Sequence, residues 1–223
     1  MLYNQNMNML PLFPLNTVLF PGQLLPLHIF EPRYRQMIGE CLQHSVPFGV
    51  VLLREGEEAG DETAVPCDVG TTANIIQAER LPDGRMTIVC VGNARFRISQ
   101  TYHDRPYLRG DVDLWPWAPL DNTQPSPADV VRQRLQRYLN LLSQISDSPI
   151  NVDIPDDAAT LANLSAAILQ IDPGEKQQLL ATASIGELLD QVAAILRREL
   201  RGLSIMQAAR QKPTDESPSF SLN

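Results

Sequence analysis

The spacing of apolar residues changes part-way through residues 10–41. The first part is apolar and contains four prolines, at positions 11, 14, 21 and 26. Proline lacks an N–H group and fixes φ, so it excludes a helix here and suits strand edges, first strand positions or bulges. We predict short strands near residues 9–13 and 23–30, joined by a turn at Pro21-Gly22. After Pro32 the spacing is helical and predicts a helix whose apolar face carries Tyr34, Met37, Ile38, Cys41 and Leu42.

Residues 47–114 have the pattern of short strands. Residues 47–53 form an apolar run that predicts a buried strand, and runs 71–81 and 85–91 flank the hairpin sequence Pro82-Asp83-Gly84. Further strands fit residues 94–99 and 107–114. In residues 94–99 the period of two places Arg95 and Arg97 on one face, which we expect to be solvated. About six short strands favour a small barrel-like or highly curled sheet.

Residues 115–127 contain four prolines and no periodicity, which predicts a junction between two lobes. Trp115 and Trp117 lie in this junction. Two interpretations remain open for them, packing between the lobes or a platform for a ligand.

Four amphipathic helices are predicted after the junction. The first starts at Ser126-Pro127 and the second covers residues 158–171. Asp172 with Glu175, and Ser184 with Glu187, have the spacing of capping boxes and predict the starts of the third and fourth. The fourth runs to about residue 209. Four such helices with short connections predict a small bundle.

The composition narrows the class of partner. The chain is 43% hydrophobic and 20% charged with a net charge of −8, so we expect no binding to nucleic acid and none to membranes. Three widely spaced cysteines predict reduced thiols in a cytoplasmic protein, with Cys67 the candidate for reactivity. Residues 55–62 predict an acidic solvated loop rather than a cation site, and residues 211–223 a disordered tail.

No catalytic motif is evident. The two lysines, Lys176 and Lys212, have neither the sequence context of a phosphate-binding loop nor the burial expected of a Ser–Lys dyad. The three histidines lack the spacing of a helical metal pair. We therefore expect no catalytic residues, no metal and no cofactor.

The segments LPLFPL (10–15), VLFPG (18–22) and LPLHIFEPRYRQMI (25–38) resemble the N-terminal, substrate-binding domain family of Lon protease. The resemblance continues in order to about residue 203. It implies an α+β fold: a six-stranded, PUA-like β pseudobarrel with one helix in residues 1–120, then a four-helix bundle in residues 121–210. The ATPase and Ser–Lys peptidase parts of Lon belong to other domains.

The resemblance implies a stand-alone, non-catalytic module that binds polypeptide segments or a partner protein, in protein quality control or as an adaptor. The alternative is a peptidase-related subunit or hydrolase that acts only with a partner. The sequence does not indicate the oligomeric state.

The candidate peptide-binding groove lies beside the proline-rich strands. Arg33 and Arg35 flank the apolar stripe of the first helix and would border the groove. The apolar surface would come from Phe13, Leu15, Leu19 and Phe20. The other interpretation of the arginines is a solvated rim or an ion pair with Glu31.

Overall fold

The computed structural model describes residues 9–55, 65–120 and 126–210, and the side chains as far as residue 208. The predicted acidic loop and tail therefore lie almost wholly outside the described residues. The strands are β1 (Met9–Leu15), β2 (Leu24–Ile29), β3 (Phe48–Glu55), β4 (Val65–Arg80), β5 (Met86–Tyr102) and β6 (Arg109–Leu114). The helices are α1 (Pro32–His44), α2 (Ala128–Ser146), α3 (Ala158–Ile168), α4 (Pro173–Leu180) and α5 (Ile185–Arg210).

β1 accommodates its prolines because it changes partner half-way. Met9 to Pro11 pair antiparallel with β6, and Leu12 to Leu15 pair parallel with β3. Each half of β1 therefore pairs with only one strand. The side of a proline that lacks an N–H group can face away from that strand. The six strands form one sheet in the order β2-β5-β4-β3-β1-β6. β6 also pairs with β5, which closes a ring of five strands and leaves β2 at an edge.

β4 and β5 are longer than the sequence predicted, with 16 and 17 residues. The predicted Asp-Gly turn joins them, with Gly84 at a φ of 83°. The two short strands expected at 85–91 and 94–99 are one continuous strand, and that prediction of a break was wrong. Gly92 does not end the strand. It gives room to the Phe20 carbonyl oxygen, which would lie 2.3 Å from a Cβ at that position.

The helix starts follow the predicted caps with one exception. The Asp172 carboxylate accepts a hydrogen bond from the Gly174 N–H, and Ser184 accepts one from the Glu187 N–H. Glu175, expected to complete the first capping box, instead accepts hydrogen bonds from Arg198 on α5. In α1 the apolar stripe is buried except for Leu42, which is exposed, contrary to the prediction.

The helices and the sheet share part of one core. The largest apolar cluster unites α2, α3, α4 and α5 with residues from the first half of the chain, Val18, Phe20, Leu52 and Val69. Trp115 and Trp117 are half-buried against this cluster. The segment that follows β6 is therefore held against a core that the sheet and the helices share.

Candidate functional site

The four apolar residues predicted to line a groove lie in the interior. Phe13, Leu19 and Phe20 are buried, and Leu15, the most accessible, exposes 8% of its surface. Phe20 packs among the helices and the other three around α1. The prediction that they offer surface to a peptide was wrong, because the side chains of β1 and of the loop that follows it point into the two apolar clusters, one around α1 and one shared with the helices after β6.

Arg33 and Arg35 occupy the flanks of α1, as their helical spacing predicts. Arg33 donates a hydrogen bond to Glu31 over 2.9 Å, and its guanidinium carbon lies 4.5 Å from the ring centre of Tyr34. The expected ion pair with Glu31 is therefore present. Arg35 is half-buried beside the β4–β5 turn at Gly84. With the apolar four in the core, the six predicted residues do not form one surface.

Arg95 is the buried cation that sequence reasoning assigned to solvent. Arg95 and Arg97 do share a face of β5, as period two predicts, but that face is covered at Arg95, which exposes 2% of its surface, whereas Arg97 is exposed as expected. Its Nε donates to the Trp115 carbonyl over 2.8 Å. Its Nη1 donates to the Leu180 and Thr182 carbonyls, each over 2.6 Å. One guanidinium thus ties β5, the junction segment and the α4–α5 turn together.

Two indole rings enclose this guanidinium. The guanidinium carbon of Arg95 lies 3.9 Å from the ring centres of both Trp115 and Trp117, and that of Arg97 lies 3.6 Å from Trp115. Trp117 donates from Nε1 to Thr182 Oγ1 over 2.9 Å. We call Arg95, Trp115, Trp117 and Thr182 the junction cluster. Both tryptophans therefore pack between the sheet and the helices.

The junction cluster carries a positive charge that has no counterion among the described residues. None of the ion pairs between described residues involves Arg95. Burial lowers the pKa of Arg95 to about 10, and the neighbouring charge of Arg97 contributes to the shift. The guanidinium therefore stays protonated at neutral pH, stabilised by carbonyl dipoles and aromatic faces.

A cavity of about 510 Å³ opens beside this cluster. Its walls come from the sheet, the junction segment, α3 and the start of α5. We call it the junction cavity; its lining is Pro21, Asn93, Ala94, Arg95, Leu114, Pro116, Trp117, Pro119, Ala159, Asn163 and Ile185. A second cavity, of about 480 Å³, shares Pro21 and Asn163 with it and reaches Leu24 on β2, which is 58% exposed. Apolar surface therefore continues from the junction to the edge strand.

Two residues that line the junction cavity each have a buried polar atom without a hydrogen-bond partner among the described residues, Arg95 Nη2 and Asn163 Oδ1. Asn163 exposes 9% of its surface. Its amide orientation is fixed, because Nδ2 donates to the Ala159 carbonyl over 2.8 Å and an oxygen could not. Both atoms are buried, and their lack of partners among the described residues has no evident signal in the sequence.

Residues 9–198 match the family model described as the ATP-dependent protease La (LON) substrate-binding domain. The chain belongs to this family. Lon protease of Parabacteroides distasonis is 28% identical over 220 residues, which cover 93% of this chain and 26% of that protein. Lon protease of Roseiflexus castenholzii is 29% identical, with 96% and 27% covered. The chain thus spans about a quarter of the length of these curated relatives.

Solved structures agree with the Lon substrate-binding fold. The crystal structure of a Lon N-terminal domain protein from Xanthomonas campestris has a TM-score of 0.63 and 26% identity, and covers 84% of this chain and 98% of that one. The N-terminal domain of Mycobacterium avium complex Lon protease has the same TM-score at 20% identity, which supports the fold alone. The α+β class predicted from the sequence is confirmed.

The match of this Lon-family chain covers the substrate-binding domain and neither the ATPase nor the peptidase part of Lon. Lys176, expected to lie in solvent, is half-buried; burial lowers its pKa, and Nζ donates to the Ala167 carbonyl over 2.8 Å. Cys41 and Cys90 are buried, which raises their pKa values to about 12 and about 11, while Cys67 is half-exposed.

Within the described ranges, no three His, Cys, Asp or Glu side chains lie close enough together to hold a metal ion. No helix there combines the length and the hydropathy that crossing a bilayer requires.

Proposed function

We propose that this chain is a non-catalytic module that binds unfolded polypeptide segments. The observation that carries the proposal is the continuous apolar surface from the junction cavity to the edge strand β2, in a chain of the Lon substrate-binding family. β2 pairs with β5 on one side, so its other side can add a peptide strand through backbone hydrogen bonds. The adjoining cavities would then select apolar side chains.

The proposal includes an arrangement of lobes and a setting. Residues 1–120 would act as the β pseudobarrel, residues 121–210 as the helical bundle, and peptide would bind where they meet. The closed ring of strand pairings and the shared helical core support this division. A role in protein quality control or as an adaptor would suit such a module. The three free cysteines support a cytoplasmic setting.

The test is binding of fluorescein-labelled peptides, followed by anisotropy. Peptides with leucine and phenylalanine should bind, and Gly/Ser peptides of equal length and charge should not. Leu24→Lys should weaken binding, because it places a charge on the apolar surface between the junction cavity and β2 while leaving the core intact. Leu114→Lys changes another exposed strand position, which lines the junction cavity but not the second cavity. Comparing the two variants shows whether the peptide contacts the junction cavity or the region near β2. Equal binding of both peptide classes, or of neither, would contradict the proposal.

A second assay tests the absence of catalysis. The purified protein should neither hydrolyse ATP nor degrade unfolded casein. The proposal that the module is non-catalytic would be refuted by either activity, if that activity follows the protein through purification and survives controls for contaminants. The double variant Arg33→Ala/Arg35→Ala measures whether the flanks of α1 contribute: weaker binding at unchanged Tm would add them to the site.

A further inference from the structure

The groove between α2 and α5 contains a cavity in which every charged side chain is an arginine. The two helices run side by side in the same direction. Arg134 Nη1 donates to the Ala193 carbonyl, and further along Gln207 Nε2 donates to Gln144 Oε1, each over 2.6 Å. The cavity has a volume of about 650 Å³. We call it the arginine cavity; its lining is Gln133, Arg134, Arg137, Arg197, Leu200, Arg201, Ser204 and Ile205.

The charges on these two helices are one-sided, although the whole chain has a net charge of −8. Residues 130–146 and 191–208 contain six arginines and one acid, Glu199. Two of the six, Arg132 and Arg198, form ion pairs with acids. The other four all line the arginine cavity, and none of them has an acidic partner among the described residues.

Helix stability does not account for four such cations in one place. The two arginines of the lining on α2 are three positions apart and the two on α5 are four apart, which are the spacings at which like charges repel. The dipole of α5 acts within its last turn, and this helix continues to Arg210. The cluster therefore costs stability in the free protein, and an anion in the cavity would remove that cost.

Apolar surface beside the arginines decides which anion fits. Ile205, in the lining, exposes 71% of its surface. A phosphate polymer would leave this side chain in water, and the net charge of −8 repels long polyanions. A short polypeptide segment with carboxylates on both sides of an apolar residue can pair with the guanidinium groups and also cover Ile205. A second copy in symmetric contact would bring the same arginines together.

We propose that the arginine cavity binds an acidic segment of a partner protein, with an apolar residue of that segment against Leu200 and Ile205. Arg134 is half-buried and already held by a carbonyl of α5, so part of the site is fixed before binding. The exposed Arg137 and Arg201 pair with the carboxylates from either side. The arginine cavity shares no lining residue with the junction cavity or the second cavity beside it. The module thus has one surface for uncharged apolar segments and another for an acidic partner.

Three fluorescein-labelled peptides of equal length test the proposal by anisotropy. The first places leucines between pairs of glutamates, the second has glutamine in place of glutamate, and the third has serine in place of leucine. We expect the first to bind saturably, and about tenfold more tightly than the glutamine peptide, because several exposed ion pairs each contribute a few-fold. Raising the NaCl concentration from about 0.05 M to about 0.5 M should weaken its binding by screening those pairs.

Charge variants locate the binding on the two helices. Arg137→Gln/Arg201→Gln removes one cation from each helix and should weaken binding of the first peptide about tenfold. Arg80→Gln/Arg105→Gln makes the same change of net charge at exposed positions outside α2 and α5, and it should bind as the parent protein does. Circular dichroism and Tm verify the fold of each variant.

A second pair of variants tests the apolar contact. Ile205→Ser should remove the preference for the leucine peptide over the serine peptide. Met206→Ser changes the next position, which is 53% exposed and outside the lining, and should keep that preference.

Equal binding of the glutamate and glutamine peptides, or unchanged binding by Arg137→Gln/Arg201→Gln, overturns the proposal. Three other occupants would overturn it as well. Tighter binding of inorganic tripolyphosphate, with no preference for leucine over serine, assigns the cavity to phosphate. Self-association in sedimentation that the arginine variant loses assigns it to a second copy. Binding seen only after Asp215→Asn/Glu216→Gln assigns it to the acids that follow α5 in this chain.

The proposed function is judged by a different probe. Uncharged peptides with leucine and phenylalanine should bind the parent protein and Arg137→Gln/Arg201→Gln equally. Their failure to bind the parent protein refutes the proposed function and leaves the acidic-segment site standing.

Discussion

Replacing Arg95 with methionine tests whether one guanidinium couples the sheet to the helices. Methionine keeps an unbranched stem between the two indoles and removes every donor. The carbonyl groups of Trp115, Leu180 and Thr182 would each lose the hydrogen bond from Arg95. We therefore expect the variant to fold less stably than the parent protein, although it removes a buried charge.

The magnitude follows from the contacts that are lost. A buried carbonyl left without a donor costs about 1–3 kcal/mol, so three cost about 3 kcal/mol at the low end. The two desolvated cation–aromatic contacts contribute about 2 kcal/mol each. Removing a buried cation that has no counterion stabilises the folded state by several kcal/mol, which offsets the loss of the aromatic contacts. The net expectation is a loss of about 3 kcal/mol in the free energy of unfolding.

Urea unfolding should be followed by tryptophan fluorescence, which reports the junction, and by far-UV circular dichroism, which reports all the helices and strands. Arg97→Met is the matched control, since Arg97 is exposed and contacts one indole; it should cost about 0.5–1 kcal/mol. Arg95→Lys keeps the charge without the planar fork and should fall in between. An Arg95→Met protein within about 1 kcal/mol of the parent, or no less stable than Arg97→Met, would refute the coupling.

Three further predictions concern packing, pH and thiol chemistry. Gly92→Ala should lower the free energy of unfolding in urea by about 2 kcal/mol or more, because a backbone oxygen lies next to the new Cβ. Gly202→Ala, which has open space on α5, should raise the free energy of unfolding by about 0.5–1 kcal/mol. Equal effects of the two substitutions would contradict the close approach at Gly92. Hydrogen bonds from Arg198 lower the pKa of Glu175 below 4.5, so the contribution of this pair to stability is present above pH 4.5 and lost as the pH falls through the lowered value; the small Tm loss of Glu175→Gln at pH 7 should therefore vanish in acid. Iodoacetamide should label Cys67 before either buried cysteine, as peptide mass mapping can show, and simultaneous labelling would contradict the burial.

The sequence predicted the strands and helices well because local signals determine them. The Asp-Gly turn, the caps at Asp172 and Ser184, and the helical spacing after Pro32 act over a few residues. The apolar face of α1 was predicted correctly except at Leu42. Family motifs in the first forty residues gave the fold class without any information on long-range contacts.

The site was harder to predict because it depends on partners distant in sequence. Period two placed Arg95 on the correct face of β5, but the segments that cover it lie 20, 85 and 87 positions later in the chain. The prolines of β1 suggested an exposed edge, and no local pattern shows that the strand changes partner between Pro11 and Leu12. Asn163 resembles any polar residue on a helix until the cavity beside it is known.

Closure of the strand ring has a consequence for synthesis on the ribosome. Leu10 pairs with Gly110, so β1 must wait until about a hundred further residues have been synthesised before its antiparallel neighbour is available. The contacts of Arg95 with Leu180 and Thr182 form later still. Such non-local pairings slow folding, and until they form the nascent chain exposes apolar strands that attract chaperones. In refolding experiments the tryptophan signal should accordingly be the slowest phase, since it records the closing of the junction.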